Sequence, residues 1–396
     1  MAEQPQSAAA SRLQRLLGFL AGDPNNARLL ADAGDAALES GDFDQAWALL
    51  ERACAVEPQN SALHHRLCQV LLARGDYEGA HTRLLGLLRE QPASPALQYD
   101  LAYAEVGCER MSDALGTLRA IAEESRRLLP HYSLLLARVL YFTGQAEAAL
   151  QPVQAHLRQG GASPAQAGFC SLVLFDNGDV DAARRLAQLA LTTNAKDVFA
   201  DLVLGSIAVA RQQPEEAAPH LTAVAQVRPS WGRVWSALGY MELLNVQLEK
   251  ARINFQRAVS LMPEHLGTWH GLAWTELLLG DYAASRVSIA RAMDVDRTFS
   301  ENHGTLAVLE IQDGRPELAE AEIKRGLRLN PKSPSSHYAR SLLLAQKGDK
   351  AASEKLVRRI LEEAGLLDGK QIGALLARAK AGQTGVSPPP PNARKH

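Results

Sequence analysis

The 396-residue sequence is poor in cysteine, in aromatic residues and in long apolar runs. Its four cysteines include no Cys-x-x-Cys pair, which excludes a dense disulfide framework and favours a reducing compartment. Apolar stretches such as DLVLGSIAVA end well before the ~18–20 residues that span a bilayer, so we predict no integral membrane segment. The start, MAEQPQSAAASRLQ, lacks a basic stretch followed by an apolar one. We therefore expect a soluble, cytoplasmic protein without a secretory signal.

A large excess of charge of one sign is also missing. The 42 Lys and Arg nearly balance the 44 Asp and Glu, for a net charge of −2, which argues against a protein that coats nucleic acid. The segment from Arg315 onward is different, with 16 basic and 8 acidic residues. Such a basic end favours an acidic partner or an anionic lipid surface. Solvated Lys and Arg on a terminal helix pair are the simpler explanation.

The motifs of common catalytic sites do not occur either. The sequence has no glycine-rich phosphate loop, no zinc-protease helix and no nucleophile–base pair at a defined spacing. His64 and His65 are adjacent, so on a helix they point to different faces and chelate a metal poorly. We expect no enzymatic activity, no metal site and no cofactor.

The dominant positive feature is a repeat of 34 residues. Pro24, Pro58 and Pro92 show this spacing, as do Pro229 and Pro263. Periods of this length indicate a repeat array. Ten units are predicted, and only the third has an extra residue. They start at Ala27, Ser61, Pro95, Pro130, Pro164, Val198, Gly232, Leu266, Ser300 and Pro334.

Each unit is predicted to form two helices. In residues 27–60, one apolar stripe precedes SGDFD and a second follows it, and Pro58 ends the second helix. The eighth and twentieth residues of every unit are small, from Gly34 and Ala46 to Ser341 and Ser353. Two antiparallel helices can pack closely only if no large side chain lies at their crossing.

This pattern resembles the tetratricopeptide repeat family, whose signature is W-x2-L-G-x2-Y…A-x3-F…P over 34 residues. The stretch from Trp235 matches at Leu238, Gly239, Ala251, Phe255 and Pro263. The resemblance implies an all-α, superhelical solenoid of antiparallel helix pairs. The predicted organisation is a disordered N-terminus (1–10), a half repeat or cap helix (11–26), ten repeats (27–365), a capping helix (366–382) and a disordered Pro-rich tail (383–396).

The resemblance also implies a concave groove lined by positions 2, 5, 9 and 12 of each first helix. Exposed apolar residues there favour a peptide or partner surface, although tight coiling would instead pack them on adjacent units. Cationic residues occur only singly at the positions that form the family's carboxylate clamp, so an apolar or amphipathic ligand is favoured. The candidate residues are Tyr99, Tyr103, Arg138, Tyr141, Phe142, Leu172, Phe175, Phe199, Leu202, Tyr240, Leu244, His270, Trp274 and Tyr338.

A series of acids lies at position 11, where the family often has Tyr. A carboxylate near a packing stripe needs a cationic or hydrogen-bonding partner. We expect a structural ion ladder, with Arg252 and Arg286 on the following helices as partners for two of the acids. The alternative is a row of acids that meets a basic ligand. The acids are Glu105, Glu242, Glu276 and Glu310.

The expected function is a non-enzymatic protein–protein interaction scaffold or chaperone-like adaptor that binds an apolar or amphipathic peptide or helix. The Ala/Leu/Arg-rich composition suggests a bacterial source, and analogy then suggests a secretion, pilus or polysaccharide-export assembly. We expect a protein or peptide partner and no nucleic acid. Two alternatives stay open: a self-assembling structural protein, and an accessory subunit of an enzyme complex.

Overall fold

The computed structural model describes residues 5–129 and 131–363. Within these ranges the chain forms 22 α-helices and no strand. The chain divides into two compact units, unit 1 (Met1–Val203) and unit 2 (Leu204–His396). The fold class is therefore all-α, as the 34-residue pattern predicts.

Unit 1 begins with a single helix, continues with helix pairs and includes one short extra helix. Its helices are α1 (Pro5–Gly22), α2 (Ala27–Ser40), α3 (Phe43–Val56), α4 (Ser61–Arg74), α5 (Tyr77–Glu90), α6 (Pro95–Gly107), α7 (Met111–Ala120), α8 (Glu123–Arg126), α9 (Tyr132–Phe142), α10 (Leu150–Gly160), α11 (Pro164–Asp176) and α12 (Val180–Leu191). The boundary between the units falls within α13 (Val198–Ala210).

Unit 2 continues the alternation without an extra helix in its described part. Its helices are α14 (Pro214–Val227), α15 (Gly232–Leu244), α16 (Leu248–Leu261), α17 (Leu266–Leu278), α18 (Tyr282–Val295), α19 (Ser300–Gln312), α20 (Pro316–Leu329), α21 (Pro334–Gln346) and α22 (Lys350–Glu363).

The helix boundaries differ from the repeat phase in four places, all in unit 1, one of them the late start of α10 at Leu150. Helix α1 begins at Pro5, within the segment 1–10 that was predicted to be disordered. Helix α9 begins at Tyr132 rather than Pro130. The third pair has a short second helix, α7, and the extra helix α8 follows it. The predicted capping helix (366–382) and Pro-rich tail (383–396) lie outside the described residues.

A Gly-Asp pair forms the turn inside several repeats. Gly41 has φ +86°, and this left-handed conformation ends α2 with backbone hydrogen bonds to its last turn. The Oδ1 of Asp42 then accepts a hydrogen bond from Gln45 N at 3.0 Å and caps α3. The same pair recurs at Gly75–Asp76, Gly178–Asp179, Gly280–Asp281 and Gly348–Asp349.

Small residues at the helix crossings form the core of each pair. A Cβ added to Gly34 would lie 2.6 Å from Cγ of Leu50, so a larger residue there would separate α2 from α3. Gly239 has the same relation to Phe255, at 2.7 Å from its Cδ1. Leu50 and Phe255 are fully buried. Close approach of the two helices thus depends on the small residues of the repeat pattern.

Candidate functional site

The predicted groove residues of unit 1 form a partly exposed aromatic surface. Tyr103 on α6 is 42% exposed and Phe142 on α9 is 44% exposed. Tyr99, one turn before Tyr103, is half-buried. Tyr103 contacts Tyr77 edge to face, with ring centroids 6.3 Å apart, which holds the ring in place while leaving part of it in solvent.

A cluster of aromatic rings continues this surface across α9, α11 and α13. Phe169 is buried at its centre, with ring centroids 5.8 Å from Tyr141, 6.3 Å from Phe142 and 5.8 Å from Phe199. The guanidinium of exposed Arg138 lies 5.5 Å above the Phe169 ring, a cation–π contact. The cluster therefore presents apolar rings beside one cation.

Two predicted groove residues of unit 1 are not available to a ligand. Leu172 and Leu202 are each only 2% exposed, because they pack into the interior between neighbouring helices. Phe175 is half-buried. Phe169, in contrast, was missed, since it lies at position 6 of its repeat, outside the stripe of positions 2, 5, 9 and 12.

In unit 2 the predicted groove residue Tyr240 is a packing residue. Its ring contacts Phe255 edge to face at 4.9 Å between centroids, and its hydroxyl donates to the carbonyl oxygen of Gly267 at 2.6 Å. Burial raises the pKa of Tyr240 to about 12. A Cβ at Gly271 would lie 3.1 Å from Cζ of Tyr240, so this glycine makes room for the ring. Tyr240 thus joins α15, α16 and α17.

His270 and Trp274 form a second internally satisfied group in unit 2. The Nε1 of Trp274 donates to Nε2 of His270 at 3.0 Å, and Oγ1 of Thr305 lies 3.2 Å from the same nitrogen. Burial lowers the pKa of His270 from its ordinary 6.5 to about 4, although the charge and backbone of Glu301 oppose this shift. The imidazole is therefore neutral at pH 7.

The remaining predicted residues of unit 2 also contact one another or are half-buried. Trp274 lies 5.8 Å from Tyr338, centroid to centroid, although these residues belong to repeats two apart. Leu244 is half-buried. The stripe in unit 2 therefore packs largely on itself, whereas in unit 1 Tyr103, Arg138 and Phe142 stay exposed.

The acids at position 11 do not form a uniform ion ladder. Glu310 accepts hydrogen bonds from Arg286 at 2.9 Å and from Arg315 at 2.5 Å. Glu276 instead accepts one from the hydroxyl of Ser288 at 2.6 Å. Arg286 was predicted to pair within its own repeat, but its side chain reaches the acid of the following repeat.

Within 5–129 and 131–363, no three His, Cys, Asp or Glu side chains are grouped so that they could hold a metal ion. No helix in the part of the chain that the structure describes is both long and apolar enough to cross a bilayer.

The fold and this surface define a helical-repeat protein built from stacked helix pairs. Family models described as tetratricopeptide repeat match residues 37–98, 71–138, 130–151, 202–265 and 305–366. These ranges span more than half of the chain, which therefore belongs to the tetratricopeptide repeat family. Repeats of this family suggest a protein-interaction scaffold.

Solved structures with a similar fold include other helical-repeat chains. The chain is 15% identical to a chain of the APC/C hetero-tetramer Cut9–Hcn1, with a TM-score of 0.49, covering 87% of this chain and 80% of that one. It is 13% identical to human IFIT1 in a dimer with m7Gppp-AAAA, with a TM-score of 0.47, and the match covers 92% of this chain and 96% of that one. The chain is 21% identical to MamA from Desulfovibrio magneticus, with a TM-score of 0.33, and the match covers 45% of this chain and 98% of that one. A search of the curated proteins found no match.

Proposed function

We propose that the protein is a non-enzymatic scaffold that binds an apolar or amphipathic protein segment on the first helices of unit 1. The observation that carries this proposal is the exposure of Tyr103 and Phe142 on helices α6 and α9, beside the exposed cation of Arg138. Aromatic and Arg side chains are enriched at the energetic centres of protein interfaces. The proposal covers unit 1 alone, because the corresponding aromatic residues of unit 2 are engaged in internal contacts.

The arrangement suits a helix with an apolar face and an acidic edge. Partly exposed rings offer apolar area, and few rotors are frozen when they are covered. Arg138 lies against Phe169, and a guanidinium in such a position can pair with a carboxylate of the ligand. A bacterial source, a cytoplasmic location, a chaperone-like activity and a role in secretion, pilus or polysaccharide-export assemblies stay predictions from composition and analogy.

Site-specific photo-crosslinking tests this proposal. A benzophenone amino acid is placed at Tyr103 or Phe142, and at exposed Gln154 on α10 as the control. After irradiation in native cell extract, we expect a protein adduct from the first two positions and none from the third. Replacing Arg138 with Glu should reduce the adduct.

Adducts of equal yield at all three positions, or none at 103 and 142, would show that this surface is not the binding site. An adduct with another copy of the chain would favour the self-assembling alternative instead.

A further inference from the structure

The second helices of unit 2 carry exposed aliphatic side chains at a fixed repeat position. Val287 on α18 is 64% exposed and Ile253 on α16 is 62% exposed, and both are at position 22 of their repeats. They are the most exposed large hydrophobic residues in the described part of unit 2. Pro219 and Ala321 occupy the same position on α14 and α20, and both are exposed. These four residues form an apolar row with 34-residue spacing.

A row of arginines lies one helical turn beyond the apolar row. Residues four apart share a helix face, so on α16, α18 and α20 the Arg is next to the apolar side chain at position 22. On α14 position 26 is Ala223, and on α22 position 22 is Lys355. All four arginines are exposed. The arginines, at position 26 of four consecutive repeats, are Arg257, Arg291, Arg325 and Arg359.

Contacts with the protein orient two of these arginines without burying them. The guanidinium carbon of Arg257 lies 3.8 Å from the centroid of the Trp235 ring. Arg325 forms an ion pair with Glu322 at 2.6 Å, and its side chain is still 64% exposed. A stacked or paired guanidinium retains free N–H groups that can bind a carboxylate in a bidentate manner.

The repeat fold does not require these two rows. Single exposed aliphatic residues are normal, and Arg near the end of a helix interacts favourably with the helix dipole. In unit 1, however, most second helices fold with other residues at both positions, and only α3, with Ala48 and Arg52, has an apolar residue followed by Arg. Position 22 there holds Ala48, Thr82, Gly116, Gln151 and Arg185, and position 26 holds Arg52, Gly86, Ala120, Ala155 and Leu189.

We propose that this surface of unit 2 is a docking site for a protein helix with a row of aliphatic side chains and an adjacent row of carboxylates. Burial of Ile253 and Val287 would supply apolar contact area, and the arginine row complements the acids. An anionic bilayer is a poorer match, since Glu249 and Glu317 lie one turn before the apolar row, on the side away from the arginines. A bilayer would meet and be repelled by these acids, whereas a single helix along the two rows would place its carboxylates beside the arginines. We call the surface formed by Ile253, Arg257, Val287, Arg291, Ala321 and Arg325 the outer face of unit 2.

A fluorescent model peptide tests the proposal on the full chain. The probe is a 21-residue amphipathic helix with Leu on one face and Glu along the adjacent edge, and its counterpart carries Lys in place of Glu. By fluorescence anisotropy, we expect the acidic peptide to bind and the basic one not to bind. Arg291→Glu with Arg325→Glu should weaken binding at least about tenfold, and added salt should weaken it further.

Matched variants separate the outer face from general charge effects. Arg211→Glu makes one such charge reversal, half the charge change of the double variant, at an exposed turn and should leave binding unchanged. Val287→Ser should weaken binding, whereas Leu278→Ser, at another exposed aliphatic residue, should not. The acidic peptide also matches the ligand proposed for unit 1, so each variant is compared in a Phe142→Ser background, where the remaining binding reports the outer face. Loss of all peptide binding with Phe142→Ser alone would assign the peptide to unit 1 and overturn the proposal for the outer face.

The proposal is wrong if the acidic peptide does not bind, or if the Arg291 and Arg325 changes leave its affinity intact. Sedimentation with vesicles of phosphatidylcholine and phosphatidylserine tests whether an anionic bilayer binds the outer face instead. Vesicle binding that depends on Arg291, without peptide binding, would assign the outer face to a membrane surface and overturn the proposal.

Discussion

At the residue scale, the two acids Glu276 and Glu310 share a repeat position but differ in their partners. Burial alone would raise the pKa of Glu310, but hydrogen bonds from Arg315 and Arg286 hold this pKa below its usual range. Burial raises the pKa of Glu276, and the hydrogen bond from Ser288 only partly offsets this shift. At neutral pH the fold therefore favours the ionised form of one acid and disfavours that of the other.

We expect Glu310→Gln to lower the free energy of unfolding by about 1–2 kcal/mol at pH 7.5, because it removes the less exposed of the two carboxylates that pair with Arg286 and Arg315 and leaves them only Asp313. Glu276→Gln should be neutral or slightly stabilising, since an amide oxygen can still accept the Ser288 hydrogen bond without a buried charge. Urea unfolding followed by circular dichroism measures both. Equal destabilisation by the two changes would restore the idea of a common ion ladder.

The left-handed turn residue of each repeat offers a second prediction. Position 15 has a positive φ in all ten repeats, with Gly in seven and Glu109, Gln212 and Val246 in the others. Val246, at φ +58°, is β-branched and poorly suited to this region. Val246→Gly should stabilise the protein by about 1 kcal/mol, and Gly280→Val at the same position of the next repeat should destabilise it. If neither variant changes the melting temperature, a β-branched residue at position 15 does not strain the backbone.

His270 predicts a pH dependence of the stability of unit 2. Its pKa is about 4 in the folded chain, below the ordinary 6.5 of the unfolded chain. Its contribution is therefore complete above pH 6.5 and is lost as the pH falls towards 4, because the unfolded chain takes up the proton first. The full loss is up to about 3 kcal/mol.

The free energy of unfolding of the wild type and of His270→Gln, measured between pH 7.5 and 4, separates the contribution of His270 from that of the carboxylates. The variant should lose less stability than the wild type over this window. Parallel curves for the two proteins would mean that His270 does not titrate as described.

At the scale of the helices, the sequence predicts which residues share a face but not what covers that face. Positions 8 and 20 could be assigned because every unit has a small residue there. Tyr240 was assigned to a groove because it lies on the second stripe of α15, yet Gly271 of the next repeat leaves space that its ring fills. Such filling depends on how far successive pairs are rotated and translated, and a 34-residue period does not determine that.

Helices α19 and α21 show this dependence most clearly. A Cβ added to Gly304 on α19 would overlap the backbone of Ser335 and Ser336 on α21. Gly304→Ala should therefore force the two helices apart and cost about 1–3 kcal/mol. Gly86→Ala, in the middle of α5 with open space around it, should instead stabilise by up to about 1 kcal/mol through helix propensity. If both changes stabilise the protein in thermal unfolding, the close contact of α19 and α21 is not formed in solution.

At the scale of the whole molecule, contacts between successive helix pairs make stability a local property. In repeat arrays, stability is approximately a sum of intrinsic repeat terms and nearest-neighbour terms, so distant repeats are coupled only weakly. Leu50 on α3 and Leu309 on α19 are both fully buried, one in each compact unit. The same truncation at these two residues provides a matched pair of perturbations.

Leu50→Ala and Leu309→Ala should each cost about 2–5 kcal/mol locally, because each leaves a cavity in a packed core. Hydrogen exchange followed by mass spectrometry should show reduced protection for Leu50→Ala around α2–α4, with α19–α21 unchanged. Leu309→Ala should give the reciprocal result. Each variant serves as the control for the other. A uniform loss of protection along the chain in either variant would mean that the two units unfold as one cooperative body and that the local description is wrong.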